Sequence, residues 1–120
     1  MIFDLDDFKH FNDTYGHLAG DRALQAFARA LEIETRAMNL AARYGGDEFV
    51  ALLAGTDRAG AEAFIERVRV RFDRTMAGTG GGAIGVSAGM AVFRQDMADT
   101  DALLREADDA LYREKPRART

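Results

Sequence analysis

Carboxylates stand at two places where apolar runs of the chain end. Asp4 follows the apolar residues 1–3, and Asp47 with Glu48 follows a pair of glycines between two longer apolar runs. Mg²⁺ prefers such hard oxygen ligands and usually shares its coordination shell with the phosphates of a substrate. If the strand end and the turn meet, Asp4 and Asp47 can hold one Mg²⁺, and the sequence then favours phosphoryl transfer.

Simpler roles are open for several of these residues. Asp6 is as well suited to cap the following helix as to take part in chemistry. Gly45 and Gly46 satisfy the positive backbone angles of a tight turn, and their lack of side chains also lets a nucleotide approach the backbone closely. Both roles of the glycines are compatible.

Apolar periodicity predicts the elements that must position the carboxylates. Residues 1–3 have the composition of a buried strand end, and two helical repeats follow, one ending at Gly16 and one beginning after Gly20. Residues 40–44 and 49–53 form a hairpin pattern with the acidic residues at its tip. Three later patterns indicate a helix, a strand and a last helix, at residues 61–72, 84–93 and 103–111. This order predicts an α/β (α+β) domain with a central, mostly antiparallel sheet flanked by helices.

Composition narrows the class of protein further. A chain of 120 residues with 48% hydrophobic residues fits one domain with one core. The net charge of -4 provides no general basic face for nucleic acid, and cysteine is absent, which suits a reducing compartment; we expect a cytoplasmic domain. The longest apolar run, residues 49–54, is far below the roughly 20 residues that span a bilayer, so no membrane contact is expected from this segment.

The segment Arg43-Tyr44-Gly45-Gly46-Asp47-Glu48-Phe49 resembles, letter for letter, the signature of the GGDEF family of diguanylate cyclases. Residues 3–17 with Gly20-Asp21 are similar to the first strand and helices of that family, and residues 107–115 to its final helix. The resemblance covers most of the chain. It implies a nucleotidyl-cyclase-like fold with the signature on a β-hairpin. It also implies an enzyme that condenses two GTP into cyclic di-GMP and two pyrophosphates, with one GTP per protomer of a homodimer.

Site residues follow from the resemblance position by position. It implies that Asp4, Asp47 and the backbone carbonyl of Leu5 bind Mg²⁺, with Mn²⁺ as the alternative ion, and that Glu48 assists metal binding or proton transfer. Asn12 and Asp21 match the guanine-contacting positions; without the resemblance, they would be an exposed polar residue and a helix-start residue. The other substrate-binding positions implied are Phe8, Lys9, Gly45, Gly46, Lys115 and Arg119, of which the three cations are otherwise ordinary surface charges.

Two departures from the family pattern change what we expect. Where many members carry Arg-x-x-Asp as a product-binding inhibitory site, this sequence has Arg36-Ala37-Met38-Asn39. An amide in place of the carboxylate gives weaker hydrogen bonds to a guanine edge, so we expect a degenerate inhibitory site. The helical lead-in and the final strand of the family are not found either. We therefore expect residues 1–120 to be one GGDEF domain lacking those two parts.

Two alternatives to a cyclase stay open at this point. The first is a catalytically silent regulatory module that binds GTP through an intact signature without turning it over. The second is a cyclic di-GMP receptor that uses the inhibitory site, against which Asn39 argues.

Overall fold

The computed structural model describes residues 1–35, 39–79 and 82–115. They form four strands and four helices in the order that the sequence pattern predicts. The elements are β1 (Ile2–Leu5), α1 (Phe8–Tyr15), α2 (His17–Glu34), β2 (Leu40–Gly45), β3 (Glu48–Leu52), α3 (Arg58–Gly78), β4 (Val86–Gly89) and α4 (Thr100–Glu114).

The strands form one sheet in the order β2-β3-β1-β4. Every pairing in this sheet is antiparallel, which confirms the predicted fold class. β1 lies in the interior of the sheet, and Asp4 stands opposite Glu48 of β3 on one side and Ser87 of β4 on the other. Because directly opposed residues share a face of an antiparallel sheet, these three side chains lie on the same face.

Alternation along β1 divides the core between the two faces of the sheet. Phe3 and Leu5 pack with α1, α2 and α3 in the larger cluster, whereas Ile2 packs with α4 in a smaller one. The ring of Phe27 lies at the centre of the larger cluster, with centroids 4.9 to 5.4 Å from three other phenylalanine rings. Full burial of each such side chain contributes about 1.5–3 kcal/mol to folding.

Gly89 of β4 sets the position of α4. A Cβ atom at this position would lie only 2.2 Å from the carbonyl oxygen of Ala107 and from the backbone nitrogen of Leu111. Both helix residues are buried, so the backbone of α4 rests directly on the strand. This close approach places the C-terminal end of α4 over the acidic end of β1.

Two element boundaries differ from those expected. β4 covers Val86–Gly89 rather than residues 84–93, because its partner β1 begins at Ile2, which pairs with Gly89. α2 begins at His17 rather than after Gly20, since the break between the first two helices lies at Gly16, with φ 93°. Gly20 is inside the helix. No helix in the described ranges is long and apolar enough to cross a membrane.

Candidate functional site

Asp4 lies at the centre of the candidate site, on the face of the sheet that α4 covers. Its side chain is buried, and Oδ2 pairs with Nζ of Lys115, the residue at the C-terminal cap of α4. The carboxylate of Asp47 is near enough to raise the pKa of Asp4. The backbone N–H of Leu5 donates to the Asp47 carbonyl over 3.3 Å. The first strand and the hairpin tip therefore meet, as the sequence pattern predicts.

The charges at this point are unbalanced. Burial raises the pKa of the Asp4 carboxyl to about 6 from its ordinary value of 3.8, the Lys115 ammonium opposes this shift, and the Asp47 carboxylate adds to it. Burial acts to lower the pKa of Lys115, but its bond to Asp4 and the charges of the nearby aspartates raise that pKa overall. One ammonium group thus interacts with three aspartates, Asp4, Asp47 and Asp6, and a bound cation would neutralise the excess negative charge.

The donor set fits a hard divalent cation. Asp4 Oδ1 is buried and has no hydrogen-bond partner among the described residues, which leaves one carboxylate oxygen free to ligate. The Asp47 carbonyl accepts from the Leu5 N–H at this corner, and the side chain of Asp47 and the Leu5 carbonyl are the further oxygen ligands that the resemblance implies. No cluster of three or more acidic, histidine or cysteine side chains suited to a metal is found in residues 1–35, 39–79 and 82–115. Mg²⁺ commonly needs only one or two carboxylates, because substrate phosphates and water complete its shell.

The signature turn is held by its own arginine. Gly46 has φ 47°, a conformation that favours glycine, and the β2–β3 pairing shifts register between Arg43 and Gly45. Nε and Nη2 of Arg43 both donate to the Gly46 carbonyl, at 2.9 and 2.5 Å. This fork fixes the turn from which Asp47 reaches Asp4. Glu48, the first residue of β3, is half-buried and lies directly opposite Asp4.

The turn between β1 and α1 has an unusual backbone. Asp7 adopts a left-handed conformation, φ 50° and ψ 42°, and no side chain in the described part of the chain caps α1. The first amides of this helix, at Phe8 and Lys9, therefore have no side-chain cap, an arrangement that suits an anionic group. The cap role considered for Asp6 is wrong. Asp6 Oδ1 instead accepts a 2.6 Å hydrogen bond from Ser87 Oγ, which ties the turn to β4.

Asn12 of α1 packs against Gly20, the residue before Asp21 in α2. A Cβ atom at Gly20 would lie 1.6 Å from Asn12 Oδ1, so only glycine leaves room for this carboxamide. Asn12 Oδ1 is buried and has no partner within the described ranges. Asp21 is exposed and borders a cleft of about 440 Å³ between α2 and the β2–β3 hairpin, which Arg43 also lines. Asp21 is an interior residue of α2, so the helix-start interpretation is wrong.

The structure describes some of the predicted cations and inhibitory-site residues but not all of them. Lys9 is exposed on the first turn of α1, and Lys115 is half-buried at the acidic corner. Arg119 and Arg36 lie outside the described residues. Asn39 precedes β2, and its Oδ1 accepts a 2.9 Å hydrogen bond from the backbone N–H of Ala54, so its amide oxygen is engaged locally.

A comparison with protein families decides the class of this domain. The family model for the GGDEF domain of diguanylate cyclases matches residues 1–120. The chain belongs to the GGDEF family. In this GGDEF domain, the signature therefore stands on the β2–β3 hairpin, and the acidic corner lies beside it.

Known relatives of this GGDEF domain include named diguanylate cyclases. Diguanylate cyclase A of Treponema denticola is 37% identical over 121 residues, which cover 99% of this chain and 33% of the relative. Diguanylate cyclase DgcM of Escherichia coli is 41% identical over 115 residues, or 96% of this chain and 28% of the relative. The chain thus spans about a third or less of the length of these curated relatives.

A solved structure has the same fold. The GGDEF domain of DgcB from Caulobacter crescentus, crystallised in complex with c-di-GMP, superposes with a TM-score of 0.81. It is 33% identical, and the match covers 93% of this chain and 68% of that chain.

Sequence patterns did not identify three residues that build the site. Ser87 binds Asp6, and Arg69 of α3 donates to Glu114 beside Lys115. Gly89 admits α4 to the sheet. The alternation of β4 could have placed Ser87 and Gly89 on the face of Asp4, but only if the register with β1 had been known.

Proposed function

We propose that this GGDEF domain is a diguanylate cyclase that condenses two GTP into cyclic di-GMP and two pyrophosphates, with one GTP per protomer of a homodimer. The observation that carries the proposal is the buried Asp4 carboxylate, with an unpartnered oxygen, beside Asp47 of the signature hairpin. GTP and c-di-GMP are cytoplasmic nucleotides, and we place the domain in that compartment.

In the proposed reaction, each protomer positions one GTP for attack on the other. The 3′-hydroxyl oxygen of one GTP forms a bond to the α-phosphorus of the second, the bond from that phosphorus to the bridging oxygen breaks, and pyrophosphate leaves. The hydroxyl proton passes to a base, for which Glu48 on the face of Asp4 is our candidate. The reciprocal step closes the ring. Positioning and charge stabilisation supply most of the catalysis in such transfers.

Asp4, Asp47 and the Leu5 carbonyl are the residues that would hold Mg²⁺ or Mn²⁺. When bound, the ion supplies neutralisation of phosphate charge. We propose that the chain's own groups bind the same phosphates: the uncapped amides at the start of α1, Lys9, and Lys115, which pairs with Asp4. We propose that Lys115 and Arg119 bind the triphosphate, and that Gly45 and Gly46 leave room for the nucleotide.

The decisive test is incubation of the purified chain with GTP and Mg²⁺, followed by detection of cyclic di-GMP and pyrophosphate. The matched control is Asp47→Asn, which keeps the size of the side chain and loses its charge. We expect product from the wild type and none from the folded variant. GTP binding without product at every protein concentration would instead favour the silent regulatory module, and equal turnover by Asp47→Asn would remove that residue from the mechanism.

Base recognition is assigned to Asn12 and Asp21. Guanine presents N1–H and N2–H₂ donors beside the O6 acceptor, which an amide and a carboxylate can satisfy together. Each polar group left unpaired by adenine weakens binding by about 1–3 kcal/mol. Titration with GTP and with ATP in the presence of Mg²⁺ tests this assignment, and equal affinities would contradict it.

A further inference from the structure

Arg69 of α3 reaches around the open edge of the sheet. β4 is the last strand in the sheet order, with α2 and α3 packed over one face and α4 over the other. Arg69 Nη2 donates to the backbone carbonyl of Val86, at 3.1 Å, and to Oε1 of Glu114, at 2.6 Å. One guanidinium group thus joins α3, the edge of β4 and the end of α4.

The end of α4 needs such a connection. The last buried residue of this helix is Leu111, and Tyr112, Arg113 and Glu114 are all exposed. Because helix ends fray, a last turn without packed side chains has several accessible arrangements. Lys115 follows that turn, and its backbone N–H donates to the Leu111 carbonyl over 3.0 Å. The ammonium group that meets Asp4 therefore stands on the least packed part of the helix.

We propose that Arg69 is a positioning residue that holds the last turn of α4 through Glu114, so that Lys115 is directed at Asp4 and at the triphosphate. The contact with Asp4 is present in the structure, and the contact with the triphosphate rests on the proposed function. Arg69 touches neither group itself. It acts through Lys115, from α3 on the opposite face of the sheet.

The structure offers matched variants. Arg69→Ala removes both hydrogen bonds, whereas Glu114→Gln removes the ion pair and leaves the Val86 carbonyl bond intact. Arg67→Ala is the control, because Arg67 lies two residues earlier on α3 and pairs with Glu34 of α2 instead. Arg69→Lys keeps the charge but not the planar geometry of the guanidinium group, and it serves if the alanine variant does not fold.

Amide hydrogen exchange at Lys115 tests the tether directly. We expect exchange roughly two- to five-fold faster in Arg69→Ala and in Glu114→Gln, the change that the loss of a partly exposed ion pair produces. Arg67→Ala should exchange like the wild type. Unchanged exchange at Lys115 in both Arg69→Ala and Glu114→Gln would overturn the proposal, and this measurement needs no nucleotide or turnover.

Kinetics test whether the tether acts through Lys115. We expect Arg69→Ala and Glu114→Gln to raise KM for GTP roughly two- to five-fold, as expected for the loss of a partly exposed ion pair. The effect on kcat should be smaller. In a Lys115→Ala background, Arg69→Ala should have no further effect. An equal rise in KM in both backgrounds would show that Arg69 merely stabilises β4. If the wild type forms no cyclic di-GMP, the proposed function fails, while the exchange experiment still decides the role of Arg69.

Discussion

At the scale of single residues, the site depends on a carboxylate that the fold does not fully satisfy. Asp4 is buried, has an oxygen without a partner in the described ranges, and has a pKa raised to about 6. Buried ionised groups reduce stability unless they are paired and hydrogen-bonded. A buried carboxylate with an unpartnered oxygen lowers stability in the absence of a ligand. This arrangement is expected of a group whose function is to bind a cation.

Replacement of Asp4 by asparagine tests this interpretation. In metal-free buffer, Asp4→Asn should change the free energy of unfolding by less than about 1 kcal/mol, because the side chain of Lys115 is 38% exposed and its ammonium can turn to water, while removal of the buried carboxylate charge offsets the lost contact. Mg²⁺ should raise the Tm of the wild type and leave that of the variant unchanged. Thermal melts with and without Mg²⁺ provide the measurement. An equal shift of Tm in both proteins would show that Mg²⁺ binds elsewhere.

The expected weakness of the inhibitory site at Arg36 and Asn39 leads to a second residue-scale prediction. Asn39→Asp should strengthen inhibition by cyclic di-GMP several-fold, because hydrogen bonds to a charged group contribute about 1.5–3 kcal/mol against about 1 kcal/mol for neutral ones. The fold should tolerate the change, since an aspartate oxygen can accept the same bond from the Ala54 N–H. Initial rates with added product compare the two proteins. Strong inhibition of the wild type, lost in Arg36→Ala, would show that the amide already suffices.

At the scale of elements, two kinds of contact hold the helices in place. α4 approaches through a glycine contact on β4, and its end brings Lys115 to Asp4. α2 and α3 are joined by Glu34, which binds Arg67 and Arg71 at 3.0 and 2.9 Å. The first contact is steric and leaves no room for a side chain, whereas the second is electrostatic and partly exposed.

Substitution at Gly89 should separate α4 from the sheet. A Cβ atom 2.2 Å from backbone atoms of α4 cannot be accommodated by a side-chain movement, so Gly89→Ala should cost about 3 kcal/mol or more in unfolding free energy. Gly78→Ala is the control, since nothing lies within 4 Å of a Cβ atom there. Denaturant unfolding measures both variants, and equal stability of the two would refute the close contact.

Removal of the Glu34 charge should weaken the α2–α3 contact in a pH-dependent way. The Arg71 hydrogen bond, opposed by burial and assisted by Arg67, lowers the pKa of Glu34 below its ordinary value of 4.5. The stabilisation is therefore present above that value and is lost as the pH falls below it. Glu34→Gln should reduce the unfolding free energy by about 0.5–1 kcal/mol at pH 7, and the difference should vanish in acid. A difference independent of pH would assign the effect to packing.

At the scale of the whole molecule, the proposed reaction requires two copies. Each chain has one proposed set of guanine-reading residues, Asn12 with Asp21, and one acidic corner, whereas the proposed product contains two nucleotides. Our proposal therefore requires two protomers that face each other with one GTP each. Association of two copies depends on protein concentration. A dilution series therefore tests whether the reaction needs both.

Specific activity should rise with protein concentration. At low concentration the rate per protomer should increase in proportion to the concentration, because the proposed active species is a dimer. Equilibrium GTP binding per protomer should not change, which provides the internal control. Activity assays over a wide dilution series, with sedimentation to count subunits, make the measurement. Constant specific activity of a monomer would contradict the two-protomer mechanism.

Local patterns determined much of this domain. The order of strands and helices follows from apolar periodicity, and the turn at Gly46 with its acidic neighbours follows from glycine chemistry. These features depend on residues close together in the chain. The interior position of Gly20 in α2 was not predicted, because the glycine is explained by its contact with Asn12 rather than by a helix start.

Tertiary structure alone decided how the site is assembled. Asp6 and Ser87 are 81 residues apart, and Arg69 and Glu114 are 45 apart; neither pair leaves a periodic signal in the sequence. Lys115 meets Asp4 only because Gly89 lets α4 rest on the sheet. The raised pKa of Asp4 likewise depends on burial beneath that helix and on Asp47 beside it. A sequence specifies which residue types are present. The electrostatic energy of a carboxylate, however, depends on its distances to other charges, and those distances exist only in the folded chain.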